Sequence, residues 1–414
     1  MQTARLQLRR RYTRSDPKGI FPHVDGVQPV EHNRLAAFWR PIIDMTDSDL
    51  APMRLRMVQP VSQWLAEPPA DGWSWFAMIG VAGLRHQVLR HAGLTGYDCR
   101  EPTGLDPELR TPQWQRLLDA IARFPALDHL TRSLVVFQLA QLSYCEYVFK
   151  LAGVVTPDGD PAHDRYAYEV ARVHARFPGH AARALPVFEQ LATMAKDPLL
   201  ALASCAQGIG HTIRSGTEIQ LAQRFERYGQ QLIDAGLPDR WHAWLVRSRF
   251  HRAVALLRLA ERRAPMMRAE LDLALEYSDR LFPAVGTDLT VAQENLRILT
   301  ESQIKAAARA RSRESADEVR RLCERLDALD PYCIEARLVV ADGFVEIGDY
   351  PEAARRYAHA GELGTVSGAM GWFRAAQCYD FVGDRANAVN AMGRCLELDA
   401  AAVEPREHLA ARAS

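Results

Sequence analysis

The sequence contains little lysine, no closely paired cysteines and no long hydrophobic run. Arginine supplies 47 of its 51 basic residues, which we interpret as GC-rich coding and therefore as an indication of a bacterial source. Seven scattered cysteines form no CxxC pair, so the sequence favours a reducing cytoplasm over a disulfide framework. The longest apolar run, residues 76–84, is about half of the roughly 20 residues that a membrane-spanning helix needs, so we expect no membrane insertion.

An excess charge of either sign is also missing, because 51 basic residues balance 51 acidic ones. No overall field therefore draws the chain toward nucleic acid or acidic lipid. Residues 1–30 place arginines before prolines and glycines, which predicts a basic extended arm without the apolar core of a signal peptide. The arm lacks interleaved aromatic residues beyond Tyr12, and we find no helix-turn-helix. We therefore expect a solvated or locally docked tail, and nucleic acid is not the predicted partner.

Helical periodicity of the apolar residues begins after the arm and continues almost to the end of the chain. No stretch alternates apolar and polar residues as a half-buried strand would, so the sequence predicts an all-α fold. Residues 31–160 combine long helical segments with clustered tryptophans, which predicts a helical N-terminal domain without repeats and of unknown role. Residues 161–299 contain helix pairs of roughly repeat length, which we interpret as a helical region of degenerate repeats.

Residues 300–402 carry a repeated pattern with a period of 34 to 35 residues. Gly-Asp pairs at 348–349 and 383–384 predict turns in which the glycine takes a positive φ and the aspartate caps the next helix. Small residues on both sides of each turn would let the paired helices approach closely: Ala341, Ala353, Ala376 and Ala388. Cys323 and Cys395 occupy small positions that we also expect to be buried.

Aromatic residues complete the pattern in the second and third copies: Phe344, Tyr357, Trp372 and Tyr379. Together these positions resemble the tetratricopeptide repeat family over about 100 residues. The first copy departs from the family pattern, because Glu314 replaces the turn glycine and Ala310 the aromatic residue. The resemblance implies a solenoid of antiparallel helix pairs whose first helices line a concave groove. A capping helix would follow at residues 403–414.

Under this resemblance, ten residues of the second and third copies are expected to face the groove as a peptide-binding site. They are Glu335, Leu338, Asp342, Val345, Glu346, Met370, Phe373, Gln377, Asp380 and Phe381. The set is acidic with apolar patches, so we expect a basic or amphipathic peptide or protein partner whose binding depends weakly on salt. The same face could instead pack against the chain's own N-terminal domain, or be capped by the last helix.

Candidate catalytic and metal-binding residues match no motif. The chain has no HExxH, and its spaced histidines do not predict a metal site, although the geometry of His174 and His180 stays open across a Pro-Gly break. An acidic loop departs from the calcium-binding pattern, so Asp160 or Asp164 is expected to support the start of a helix. Gly80 with Gly83, and Gly208 with Gly210, fall inside helical patterns and predict close helix packing. No catalytic residue is predicted, and a heme held by a single histidine is left open.

Three functions fit these observations. The leading hypothesis is a cytoplasmic protein- or peptide-binding scaffold or adaptor in a bacterial regulatory or biosynthetic assembly. The second is an enzyme whose N-terminal helical domain, with heme or metal, acts on a peptide or carrier-bound substrate presented by the repeats. The third is a transcriptional regulator of the repeat type, which would need a DNA-binding element that the sequence does not reveal. Whether the chain is an enzyme, and which cofactor it would use, stay open.

Overall fold

The computed structural model describes a small part of the arm and most of the chain after residue 111. The described residues are 6–9, 12–13, 15, 102–104, 112–141, 144–175, 180–216, 218–284, 289–310, 313–329, 334–362 and 365–413. In these residues the chain forms 16 α-helices, two short 3-10 helices and no strand, so the predicted all-α class is confirmed for them. Most of the predicted domain at 31–160, with Gly80 and Gly83, lies outside the described residues. No described helix combines the length and the apolar composition that crossing a lipid bilayer requires.

The described residues divide into two compact units. The first, which we call the central unit, comprises the described residues from 102 to 299. Its helices are α1 (Pro112–Ala122), α2 (His129–Gln141), α3 (Cys145–Ala152), α4 (Pro161–Ala175), α5 (Ala181–Met194), α6 (Pro198–Ser215), α7 (Ile219–Asp234), α8 (Trp241–Ala260), α9 (Ala264–Ala284) and the first part of α10 (Leu289–Ala310). Neighbouring helices pack against one another from α1 to α9, around a core that includes the fully buried rings of Phe188, Phe225 and Phe250.

Local sequence sets the helix ends and the close approaches of the central unit. Asp197 caps α6 by accepting a hydrogen bond from the Leu199 N–H at 2.9 Å, and Pro198 follows at the first helical position. A side chain at Gly208 would place its Cβ 2.5 Å from the ring of Phe225, which lies on the next helix. The predicted role of Gly208 in close helix packing is therefore confirmed.

The second unit, which we call the C-terminal unit, comprises the described arm residues and residues 300–413. After α10 its helices are α11 (Arg313–Leu329), α12 (Ile334–Glu346), α13 (Tyr350–Glu362), α14 (Thr365–Phe381), α15 (Arg385–Leu398) and α16 (Val403–Ala413). From α11 onward each helix packs against the next one, and α12 also contacts α14. Sequential contacts of this kind are consistent with helical repeats.

Two turns of the C-terminal unit have the same hydrogen-bond pattern. Gly348 and Gly383 have φ values of 82° and 85°, and each ends a helix with one bond from its own N–H and one from the following aspartate. Asp349 and Asp384 then accept hydrogen bonds at the start of α13 and α15. The predicted turns are confirmed, and the small residues around them are buried as expected: Ala341, Ala353, Ala376, Ala388, Cys323 and Cys395.

Candidate peptide-binding surface

The arm lies in an extended conformation on the C-terminal unit. By the arm we mean the described residues 6–9, 12–13 and 15, which form neither helix nor strand. The residues that contact it come from α13, α14, the turn after α15 and the start of α16. We call this set the docking surface: Tyr350, Phe373, Gln377, Asp399, Ala401, Val403 and Glu404.

Gln377 binds the backbone of the arm from the middle of α14. Its Oε1 accepts a hydrogen bond from the Arg9 N–H at 2.7 Å, and its Nε2 donates to the Arg9 carbonyl at 3.0 Å. One carboxamide therefore satisfies both polar backbone groups of a single residue, as a neighbouring β-strand would. The Leu6 N–H donates to the Tyr350 hydroxyl at 3.2 Å, so a second backbone group is held in the same way. Neither contact depends on the identity of the bound side chain.

Glu404 lies in the first turn of α16, where the unpaired N–H groups of a helix favour a negative charge. Its carboxylate accepts from the Thr13 N–H at 2.6 Å and from the Thr13 hydroxyl at 2.9 Å, and it pairs with Arg9 Nη1 at 3.2 Å. Burial acts to raise the pKa of Glu404, but the bonds from Thr13, its own N–H and the Arg9 charge outweigh it and lower the pKa. The arm is therefore bound by the ionised carboxylate.

Tyr12 is the aromatic anchor of the arm. Its hydroxyl donates to Asp399 Oδ2 at 2.6 Å, and its ring meets the Phe373 ring in an edge-to-face arrangement with centroids 5.5 Å apart. Next to it the two backbones pair, because the Val403 N–H donates to the Thr13 carbonyl and the Ser15 N–H to the Ala401 carbonyl, both at 2.8 Å. These contacts set the register of the arm on the surface.

The structure places the ten sequence-predicted groove residues in different surroundings. Phe373 and Gln377 contact the arm, whereas Asp342 accepts a hydrogen bond from Tyr357 and lies 3.2 Å from Arg374 Nη1. Asp380 Oδ2 is 3.5 Å from His408 Nε2. Val345 is buried and Phe381 is exposed, Leu338, Glu346 and Met370 are half-buried, and the side chain of Glu335 lies outside the described residues.

Sequence reasoning missed five members of the docking surface. They lie at helix starts and turns, outside the first-helix positions from which the groove was predicted: Tyr350, Asp399, Ala401, Val403 and Glu404. One local feature of Glu404 can be read from the sequence, since the first turn of a helix favours a negatively charged side chain. Asp342 had the right charge for the groove, but its carboxylate is bound by Tyr357 on α13 and by Arg374 on α14.

The other candidate residues form local structural contacts. Asp160 accepts from the Ala162 and His163 N–H groups at the start of α4, and Asp164 accepts from two N–H groups of the preceding loop, so their predicted supporting role is confirmed. His174 and His180 approach with their Nδ1 atoms 3.3 Å apart. Among the described residues no group of three or more His, Cys, Asp or Glu is placed to hold a metal ion.

No protein-family model matches the chain, and no curated protein sequence matches it. The docking surface can form hydrogen bonds with the backbone of an extended segment. Its carboxylates can also accept hydrogen bonds from hydroxyl groups and form an ion pair with a basic side chain.

Proposed function

We propose that this protein is a peptide-binding scaffold or adaptor whose C-terminal helices form tetratricopeptide-like repeats. Two observations support the repeat assignment. The turns at Gly348 and Gly383 are 35 residues apart and have the same hydrogen bonds and caps. The helices also pack in sequential pairs, which a repeat array requires.

The observation that carries the binding proposal is the pair of hydrogen bonds between the Gln377 carboxamide and the backbone of Arg9. A side chain that binds the N–H and C=O of one residue suits any extended segment with that backbone conformation. The arm thus provides an example, within the same chain, of the ligand that this surface accepts.

The charges of the docking surface favour a basic segment of a partner protein. Glu404 pairs its carboxylate with Arg9 of the arm, and the carboxylate of Asp399 accepts a hydrogen bond from the Tyr12 hydroxyl. Asp342, which the sequence suggested as a groove carboxylate, is engaged by Arg374 and Tyr357, so its replacement would disturb packing before it changed binding. We therefore assign the recognition of the partner's basic and hydroxyl side chains to the carboxylates of Glu404 and Asp399.

The proposal is tested with labelled ten-residue peptides of basic, neutral and acidic composition, titrated into the full-length protein by fluorescence anisotropy. We expect basic peptides to bind and acidic ones to bind much more weakly. Because the substitution Gln377→Ala would weaken the docked arm as well as the peptide, it is made in a protein whose arm carries Tyr12→Ala. There it removes two hydrogen bonds to the peptide and should weaken binding by about 5- to 100-fold. The matched control is Gln230→Ala, because Gln230 is an exposed helical glutamine whose amide bonds only Asp234 in its own helix. Equal peptide binding by the Tyr12→Ala protein and by the protein that carries both Tyr12→Ala and Gln377→Ala would contradict the proposal.

A further inference from the structure

We infer that the arm is a built-in competitor for the docking surface and that the partner segment carries the same pattern, namely Arg, an aromatic hydroxyl three residues later, and then Thr. This inference rests on the proposed function, because it names the ligand class and the regulation of that same surface. It extends the proposal from a surface that binds extended basic peptides to one that selects a short motif and is occupied by the chain itself.

The pattern follows from three side-chain contacts. Arg9 pairs with Glu404 Oε1, and the Thr13 hydroxyl donates to the same oxygen. The Tyr12 hydroxyl donates to Asp399. A phenylalanine in place of Tyr12 would keep the ring contact with Phe373 and lose the bond to Asp399. A valine in place of Thr13 would keep the size of the side chain and lose its bond to the carboxylate. The motif therefore has a defined chemistry at each position.

The way in which the arm is held makes it replaceable. The Arg9 side chain remains 69% exposed in its ion pair with Glu404, and exposed ion pairs contribute little affinity. Thr13 and Ser15 are also exposed, so most of the arm's contacts are hydrogen bonds at the surface. The arm nevertheless has an advantage over a free peptide, because its covalent attachment gives it a high effective concentration. A partner with the same motif must therefore displace the arm before it binds.

The test uses the full-length protein and a labelled peptide with the sequence of residues 6–15, LQLRRRYTRS. Tyr12→Ala in the protein weakens the arm and leaves the docking surface intact, so the peptide should bind at least about fivefold more tightly than it binds wild type. Gln7→Ala is the matched arm control, because Gln7 is exposed and lies outside the contacts to the docking surface. Hydrogen exchange of the Arg9, Thr13 and Ser15 amides should accelerate in Tyr12→Ala and stay unchanged in Gln7→Ala.

Motif selection is tested with the same peptide altered at one position. Replacing its tyrosine by phenylalanine, or its threonine by valine, should weaken binding to the Tyr12→Ala protein by about fivefold or more, since each change removes a hydrogen bond to a carboxylate. Equal affinity for wild type and Tyr12→Ala would overturn the competition while leaving peptide binding itself in place. Equal affinity for the altered peptides would overturn the motif. Failure of every basic peptide to bind Tyr12→Ala would remove both the inference and the proposed function.

Discussion

At the scale of single residues, Gly371 marks a close backbone contact between two helices of the C-terminal unit. A Cβ at this position would lie 2.7 Å from two backbone atoms of α13, the Gly361 nitrogen and the Tyr357 oxygen. Gly371→Ala should therefore force α13 and α14 apart and lower the free energy of unfolding by about 1–3 kcal/mol. Gly393→Ala is the control, since no atom lies within 4 Å of its Cβ and alanine favours the helix by about 0.5–1 kcal/mol. Urea unfolding followed by circular dichroism separates the two; equal midpoints would contradict the close contact.

The buried cysteines should be unreactive in the folded protein. Burial raises the pKa of Cys205, Cys323, Cys378 and Cys395 to about 12 each. At pH 8 roughly one thiol in ten thousand would then be ionised, and the thiolate is the form that reacts. Brief treatment with iodoacetamide, followed by peptide mass spectrometry, should leave these four unlabelled. The same treatment in urea should label them. Fast labelling of any of the four in the native protein would show that it is not buried.

At the scale of secondary-structure elements, Asn295 connects three helices of the central unit. Its Nδ2 donates to the hydroxyls of Ser248 on α8 and Ser278 on α9, at 2.9 and 3.1 Å. Ser248 in turn donates to the Ala274 carbonyl at 2.7 Å. Asn295→Ala should cost about 1–3 kcal/mol, because a buried group loses its partner. Asn390→Ala, on the exposed face of α15, should change the unfolding midpoint little. Equal effects of the two changes would rule out a stabilising role for the buried amide.

Docking of the arm should weaken in acid. Because docking lowers the pKa of Glu404 from its ordinary value of 4.5, docking favours the ionised carboxylate. The contribution of the ionised Glu404 carboxylate to arm docking is complete above pH 4.5. It is lost as the pH falls through the lowered pKa of Glu404. The NMR signal of the Thr13 amide, which donates to Glu404, should report this release. In Glu404→Gln the arm should dock more weakly at pH 7 and this acid step should disappear; an unchanged step would assign it to another group.

At the scale of the whole molecule, the charges of the chain balance, with 51 basic and 51 acidic residues. Among the described arm residues, the ion pair to the docking surface is that of Arg9 with Glu404. Raising NaCl from about 0.05 to 0.5 M should therefore weaken binding of the LQLRRRYTRS peptide by less than about tenfold. Anisotropy titrations at several salt concentrations provide the measurement. A loss of affinity of a hundredfold or more would indicate a larger electrostatic contribution than this surface contains.

The predicted groove residues differ in whether their contacts follow from the sequence. Gln377 and Phe373, which the sequence spacing predicts to face a groove, contact the arm. Asp342 met the same spacing rule, yet Arg374, 32 residues away, and Tyr357 occupy its carboxylate. Spacing assigns a residue to a helix face, but it does not state which neighbouring side chain will engage its charge.

By itself, the sequence determined the helical class, the turns at Gly348 and Gly383, their aspartate caps and the buried small residues. These features depend on groups within a few positions of one another, and local rules of conformation describe them. Only the tertiary structure decided what covers the docking surface. Arg9 and Gln377 are separated by 368 residues, and Thr13 and Glu404 by 391, and no local pattern encodes such a pairing. The packing of the C-terminal helices brings these groups together, since it gathers a glutamine, an aromatic ring and two carboxylates where the arm lies.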